Sequence, residues 1–411
     1  MLCRRVLPLL LSLVALPAAA QLPQASAEGF GMAGNYAALA RGFGAVAWNP
    51  ALLAAADRPH ASFGALTAGG FSGLAPIDLA TLGEWSGRSV PAVVRERWLD
   101  RIRAAGAQTG RGEVGATLFA LSWRNVGVQV GTSAYGVASL SPDAAEAILF
   151  GNAGRTGEPR TLDLRRSSLE AGAFTTGALA FGLPVGRRAA VGVTGKYIVG
   201  HPMARAADGG SAITPDQIGV DFPMVYSDRV TSGAGVGVDV GATVAGDRWR
   251  VGATLLNAVN TFAWDTERLT YRAGALHFDG AASSSDVDER PYADAPASMR
   301  DAVESQRFAR VASAGVAMAW APTLTMTADA RLRLGEGIDL GPKTHVGVGA
   351  EWRGLRVVPL RAGAAAIHGG WQAAAGTGLA LGAFELSVSG ALRSVDGATQ
   401  RGVMVGLVSV R

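Results

Sequence analysis

Fourteen segments of this chain alternate apolar and polar residues over roughly ten positions or more, the length a tilted strand needs to cross a bilayer. They run 60–68, 113–123, 125–138, 167–183, 189–201, 229–245, 248–262, 307–320, 322–334, 343–353, 355–367, 370–381, 383–393 and 400–411. Successive strand residues point to opposite faces, so a period of 2 makes a sheet with one apolar and one polar side. In 322–334, Leu324, Met326, Ala328, Ala330, Leu332 and Leu334 share one side, and Thr323, Thr325, Thr327, Asp329, Arg331 and Arg333 the other. In 343–353, Val346, Val348, Ala350 and Trp352 oppose His345, Gly347, Gly349 and Glu351. In 383–393, Phe384, Leu386, Val388 and Leu392 oppose Glu385, Ser387, Ser389 and Arg393.

Alternation alone also permits a soluble sandwich. The connections separate the two. Counted from the first strand, the even ones are tight, at Arg124, 184–188, Gly246-Asp247, Ala321, Gly354 and Gly382. Several odd ones are long, at 69–112, 139–166, 202–228 and 263–306. Short turns on one rim and long loops on the other are the asymmetry of outer-membrane barrels. The tight rim also collects Trp123, Trp249, Trp320, Trp352 and Phe384, which reads as an interfacial aromatic girdle. The expected fold is therefore all-β, a transmembrane antiparallel β-barrel of about 14 strands. An N-terminal plug and short helices in the loops complete it.

Composition narrows the alternatives. With 49% hydrophobic and 17% charged residues the chain is too apolar for disorder, and its 56 glycines have no collagen-like period. Beyond the N-terminus no run of eighteen apolar residues predicts a spanning helix. Residues 1–20 read as a signal peptide: Arg4-Arg5, an apolar core from Val6 to Leu16, and Ala18-Ala19-Ala20 before the cut. The only cysteine, Cys3, leaves with it, so neither a lipid-anchored cysteine nor a disulfide is expected. The formal charge of +4 includes Arg4 and Arg5, and lysine occurs only at Lys196 and Lys343. No basic stripe argues for nucleic acid.

Between the signal and the first strand, 21–59 shows no alternation and reads as a compact plug, leaving 60–411 for the barrel. Its most specific stretch is Trp48-Asn49-Pro50-Ala51. Proline fixes its own backbone, asparagine can bond the backbone beside it, and tryptophan is a bulky anchor, so together they predict a rigid knot. The stretch 33–52 resembles the N-terminal plug, or hatch, of the FadL family of outer-membrane fatty-acid transporters and their PorV-like relatives. Gly34, Tyr36, Ala37, Leu39, Ala40, Trp48, Asn49, Pro50 and Ala51 carry the likeness.

That resemblance implies a bacterial outer-membrane location and passive transport of small hydrophobic, fatty-acid-like molecules. It makes Trp48, Asn49, Pro50 and Ala51 candidates for gating by hatch movement; a rigid turn without a gating role is the other reading. PorV-like relatives imply instead a surface platform for exported proteins, and a structural barrel is a third possibility. Expected partners are outer-membrane lipid, a hydrophobic small-molecule ligand, the barrel-assembly machinery and exported proteins. The chain ends Leu407-Val408-Ser409-Val410-Arg411 without the terminal phenylalanine many barrels use in assembly, so Val403, Val405 and Leu407 or another cue would serve.

The remaining signals are weaker. Val94, Trp98 and Ile102 recur at helical spacing within 90–105, with Gly106 as a stop. Ser141-Pro142-Asp143 opens a second loop helix. The resemblance implies that such loop helices cover or enter the lumen; a surface amphipathic helix on the outer rim is the other reading. The 263–306 loop holds nine acids against four arginines without calcium-loop spacing and reads as a solvated outer loop. Gly29-Phe30-Gly31-Met32-Ala33-Gly34 matches a dinucleotide fingerprint but follows no strand. His60, His201, His277, His345 and His368 show no metal-ligand spacing, and His345 and Glu351 stand too far apart on one strand to cooperate. No catalytic residue, metal or cofactor is assigned, and no enzyme activity is expected. Asp239, Arg250, Asp329, Arg331, Arg333, Glu351, Glu385 and Arg393 fall on polar faces and are expected to line the lumen, as braces or as a substrate path.

Overall fold

A computed structural model describes residues 26–410 except 152, 159, 280, 281 and 339. The signal segment lies outside the described residues. Fourteen strands form the wall: β1 (Ala61–Ala75), β2 (Gln108–Trp123), β3 (Val126–Leu140), β4 (Ser168–Val185), β5 (Ala189–Ala207), β6 (Gly233–Ala245) and β7 (Trp249–Asn260). They continue as β8 (Arg310–Ala321), β9 (Leu324–Leu334), β10 (Thr344–Trp352), β11 (Leu360–Ile367), β12 (Gly370–Leu381), β13 (Phe384–Val395) and β14 (Ala398–Val410). Each pairs antiparallel with the next. β14 returns to β1, with Phe71 opposite Gly402, and the sheet closes. Closure leaves no edge with unpaired backbone groups, which is the condition for a sheet to sit in hydrocarbon.

Every expected strand is present, and the differences lie at the ends. β1 runs on to Ala75 and β2 begins at Gln108, because Gly69, Gly70, Gly73, Gly110 and Gly112 carry no side chain to display a face. β5 likewise extends to Ala207. β11 starts at Leu360 instead of 355, just after Pro359, which has no N–H for a ladder. On the long-loop rim two connections are tight, at His368-Gly369 and Asp396-Gly397.

The two faces separate as the alternation requires. Val346, Val348, Leu386, Val388, Leu392, Met326 and Leu332 are exposed on the outside. Thr327, Asp329, His345, Ser387, Ser389 and Arg393 are buried inside. Trp123, Trp249, Trp320, Trp352 and Phe384 all stand exposed beside the short turns. An apolar band bounded by such a girdle is the surface a bilayer solvates.

Above the long-loop rim, the helix Ala92–Ala105 packs on the helix Pro142–Phe150 through Trp98, Ile102 and Ala145, with Ile77 beneath. The second helix starts at the Ser141 cap, whose Oγ accepts from Ala144 N at 3.2 Å. Five short segments from three loops form a second small sheet there. The 263–306 loop is more than a solvated acidic stretch: it folds into short strands and the helix Ala297–Glu304, and Trp264, Leu269, Tyr271, Tyr292, Met299 and Val303 turn inward.

The outer face yields a depth-dependent expectation. Val348→Arg, midway along β10, should lower unfolding stability in lipid vesicles by about 2–4 kcal/mol, and Trp352→Arg at the girdle by about 1 or less. Equal, small effects in a denaturant titration would contradict a lipid-facing wall.

Candidate functional site: a hatched lumen under an aromatic cap

The segment 26–55 lies inside the barrel, and nearly all of it is buried; 56–59 lead out to the short-turn rim. Ser26 caps its first helix, Ala27–Gly31, accepting from Gly29 N at 3.0 Å. The Gly29–Gly34 motif belongs to this helix and the turn after it, and no strand precedes it within the described chain. A second helix, Ala45–Trp48, stops at Asn49, whose extended backbone also starts the 3-10 helix Pro50–Ala54. Asn49 Oδ1 accepts from Ala51 N at 3.1 Å, and Pro50 takes the first helical position, where a missing donor costs nothing. One Asn-Pro pair thus ends one helix and begins the next.

The wall is shaped to receive this knot. Asn49 Nδ2 donates to Ala242 C=O at 3.2 Å across the lumen. A Cβ at Gly241 would overlap Asn49 Oδ1, and one at Gly192 would overlap the Pro50 carbonyl. Further bonds pin the hatch around its circumference. Asp329 Oδ2 accepts from Ala37 N at 3.0 Å, and Arg331 donates to Gly34 C=O at 2.9 Å. Arg331 also lies 5.4 Å over the Trp48 ring, which meets Tyr36 edge-on at 5.5 Å. Thr194 donates to Val46 C=O at 3.2 Å, and Ser389 to Ala27 C=O at 2.6 Å. Arg250 reaches Asp57 where the hatch leaves the barrel.

The remaining lumen charges pair with the wall. Glu351 and Glu385 converge on buried Arg361, at 2.8 and 2.6 Å. His345 instead bonds Asn35 at 3.0 Å, so the two inward polar side chains of β10 serve different partners. Arg393 pairs with Glu113, bonds Gln372 at 2.9 Å and lies 3.7 Å over the Phe71 ring. Arg333 sits half-buried near the top of β9. Asp239 pairs with Lys196 at 2.6 Å and accepts from Asn257 N at 2.7 Å. Asn257 sits at a bulge of β7 in the left-handed region, φ 53°, and its Oδ1 accepts from Lys196 Nζ at 2.6 Å.

Lys196, Asn257, Arg361, Glu113 and Asp57 were not singled out from sequence. Lys196 had a signal: it is the only cation at positions 190, 192, 194, 196 and 198, the inward face of β5. Those five positions order the lumen. Ala190 packs on Ala51 and Ala54, Gly192 faces Pro50, and Thr194 bonds Val46. Lys196 forms the ion pair, and Ile198 enters an apolar cluster. The hatch, a neutralised charge layer and an apolar chamber therefore follow one another over about 26 Å of strand.

The cluster lies under the long loops. Phe174 is surrounded by Tyr135, Phe262, Trp264 and Phe308 with ring centroids 6.3, 5.3, 5.3 and 5.1 Å away. Ring pairs of this kind contribute about 0.5–1.5 kcal/mol each beyond area burial. Val225, Leu269, Tyr271, Met299 and Val303 from the loops close it from above. Its polar edge is Glu170, which accepts from Tyr135 at 2.8 Å and Gln306 at 3.1 Å and pairs with Arg205.

Beside this chamber the loop helices are held by Glu146, fully buried between Arg103 and Arg160. Burial pushes its carboxyl up, but bonds from Arg155 N and Arg160 and the fields of Arg103 and Arg160 hold it below the ordinary range.

No protein-family model matches the chain, and no curated protein does. Solved structures do. The Ralstonia pickettii toluene transporter TbuX superposes with a TM-score of 0.53 at 13% identity, covering 94% of this chain and 98% of its own. The P. putida toluene transporter TodX gives 0.54 at 10% identity with the same coverage. A Pseudomonas aeruginosa FadL homologue gives 0.50 at 12%, covering 96% and 98%. The chain has the FadL-type barrel fold. At these identities the likeness is one of architecture, which is why it spans the whole FadL-type barrel while side chains differ throughout.

Two expectations follow. Gly241→Val should leave the barrel folded yet unseat the hatch, raising conductance in planar bilayers and exposing 41–59 to protease; Gly177→Val, at an open outward position, should do neither. Unchanged conductance and protection would mean that the knot does not depend on its glycine seat. The depressed Glu146 pKa means its contribution is complete above the unfolded value of about 4.3 and is lost as pH falls through the lower folded value. Hydrogen exchange in 92–105 and 142–150 should accelerate in that acid window, and Glu146→Gln should show fast exchange already at neutral pH.

Proposed function

We propose that the chain is an outer-membrane channel for the passive passage of small hydrophobic molecules. The observation that carries this reading is the aromatic cluster inside the barrel mouth, above a lumen filled by the hatch. A mouth facing water has no structural need for seven aromatic rings. An apolar molecule, by contrast, gains from leaving water and can exchange ring contacts for its own. The two toluene transporters that share the fold support an apolar cargo.

The rings fill the chamber themselves, so a cargo molecule takes its place by displacing them as the loops lift, a shift between two packings. Glu170, Tyr135 and Gln306 then border the cargo and orient any polar end it has. Below, the Lys196–Asp239 pair presents no net charge, and passage beyond it requires the hatch to release Asn49 from Ala242. Trp48, Asn49, Pro50 and Ala51 act in this scheme as the latch. A filled chamber beneath ordered loops is also what a surface platform for exported proteins would show, and the experiment must separate the two.

Protein extracted from outer membranes in mild detergent should carry an apolar small molecule detectable by mass spectrometry. Phe174→Ala should reduce its retention about tenfold, the equivalent of one to two lost ring contacts. A stoichiometric exported protein with no small molecule would overturn the channel in favour of the platform.

A further inference from the structure

The short-turn rim is strongly basic. Its six turns and the exit of the hatch, 124–125, 186–188, 246–248, 322–323, 353–359, 382–383 and 56–60, hold seven arginines against two aspartates. Both aspartates are engaged: Asp57 with Arg41 and Arg250, Asp247 with Arg188. Among the described residues no carboxylate pairs with Arg58, Arg124, Arg187, Arg248 or Arg356, and all five are exposed. The opposite rim carries the net-acidic 263–306 loop.

Placement says what this charge meets. Arg124 follows Trp123, and Arg248 precedes Trp249, so these guanidiniums stand one residue beyond the aromatic girdle. Arg124 Cζ lies 5.5 Å from the Trp123 ring centroid. Girdle rings sit at the headgroup level, and a cation just past them is at the depth of lipid phosphates. The rim uses arginine throughout and no lysine, and the planar guanidinium fork matches phosphate oxygens two at a time.

One part of the rim is concave. Arg58, His60, Arg124, Asn125 and Pro184 line a polar cleft of about 580 Å³, room for a phosphate-bearing headgroup. Its walls are fixed by the backbone: Arg124 N donates to His60 C=O at 2.7 Å, and Asn125 Nδ2 to Gly182 C=O at 2.9 Å. Arg124 has φ 54°, a turn conformation that holds the start of β3 against the hatch exit. Arg58 bonds Ala55 C=O at 3.1 Å through one nitrogen, leaving the rest of its fork for a ligand.

We propose that this cleft binds the phosphodiester headgroup of an anionic phospholipid in the leaflet at the short-turn rim. The remaining rim arginines extend the contact around the barrel. The site rests on the chain spanning a bilayer and not on what passes through it. It ties the exit of the hatch to the lipid, since Arg58 and His60 belong to the segment that joins hatch and β1.

The full chain would be reconstituted in nanodiscs of equal parts phosphatidylcholine and phosphatidylglycerol, then extracted in mild detergent for native mass spectrometry. Phosphatidylglycerol should be enriched among retained lipids, and Arg58→Gln with Arg124→Gln should cut that enrichment about tenfold. Arg155→Gln on the opposite rim should leave it unchanged, and heat-modifiable gel migration should confirm that every variant is folded. Equal lipid composition in the native and doubly substituted chains would overturn the site. Displacement of the lipid by inorganic phosphate alone would reassign the cleft to free phosphate and overturn it too. A chain that never enters the discs would overturn the spanning reading and the site with it.

Discussion

Backbone N–H and C=O groups in hydrocarbon have no partner except one another, and the rest of this molecule follows from that constraint. It forces the sheet to close, and β14 meeting β1 does so. Closure at fourteen strands encloses a lumen wider than facing side chains can fill. Many inward residues are polar, among them Asp329, Arg331 and His345, so a filler must satisfy them. The hatch is that filler: Asp329, Arg331, Thr194, Ser389 and His345 all bond hatch groups. Wall and plug are thus one polar-satisfaction problem, solved from both sides.

The outer architecture was legible because lipid imposes a simple rule on one face. Leu324 to Leu334 alternates without exception, and each turn residue marks a boundary. Legibility faded where that rule lapsed. Gly69-Gly70 and Gly110 left the upper parts of β1 and β2 without a visible face, and those strands are longer than the pattern shows. Polar faces announced Asp239 and Arg393 as lumen residues but not their partners, Lys196 and Glu113, since pairing is set by register and bulges. Asn257 could not be read at all: its role depends on a left-handed backbone at an irregularity of β7. Glycines were legible only as abundance, whereas Gly192 and Gly241 matter by what lies against them. The aromatic chamber escaped notice because its rings come from distant segments, Tyr135, Phe174, Phe262 and Phe308, each unremarkable alone.

The two halves of the lumen are held by different forces. The chamber above is apolar and non-directional, so its packing can be redistributed at modest cost per ring. The hatch below adds to its apolar packing directional bonds to buried groups, where losing one partner leaves the other unsatisfied at about 1–3 kcal/mol. A molecule entering from the loops therefore meets a soft compartment first and a stiff one second. For the channel proposed above, such an order would set capture in the chamber before a rarer release at the hatch.

Lys196 and Asp239 mark the boundary between these compartments, each with 2% of its side chain exposed. Replacing a buried ion pair by apolar residues often stabilises a protein, so stability alone does not account for a lysine there. What the pair does is bind β5, β6 and β7 together through Asn257, whose Nδ2 also holds Ala309 C=O where β8 begins. Four strands are fixed at the level where rings give way to the hatch. Each charge is spent on its partner, so neither attracts ions from above, and an isolated charge at that depth would draw water into the chamber. A paired brace leaves no uncompensated charge at the floor of an apolar compartment, as an isolated lysine or aspartate there would.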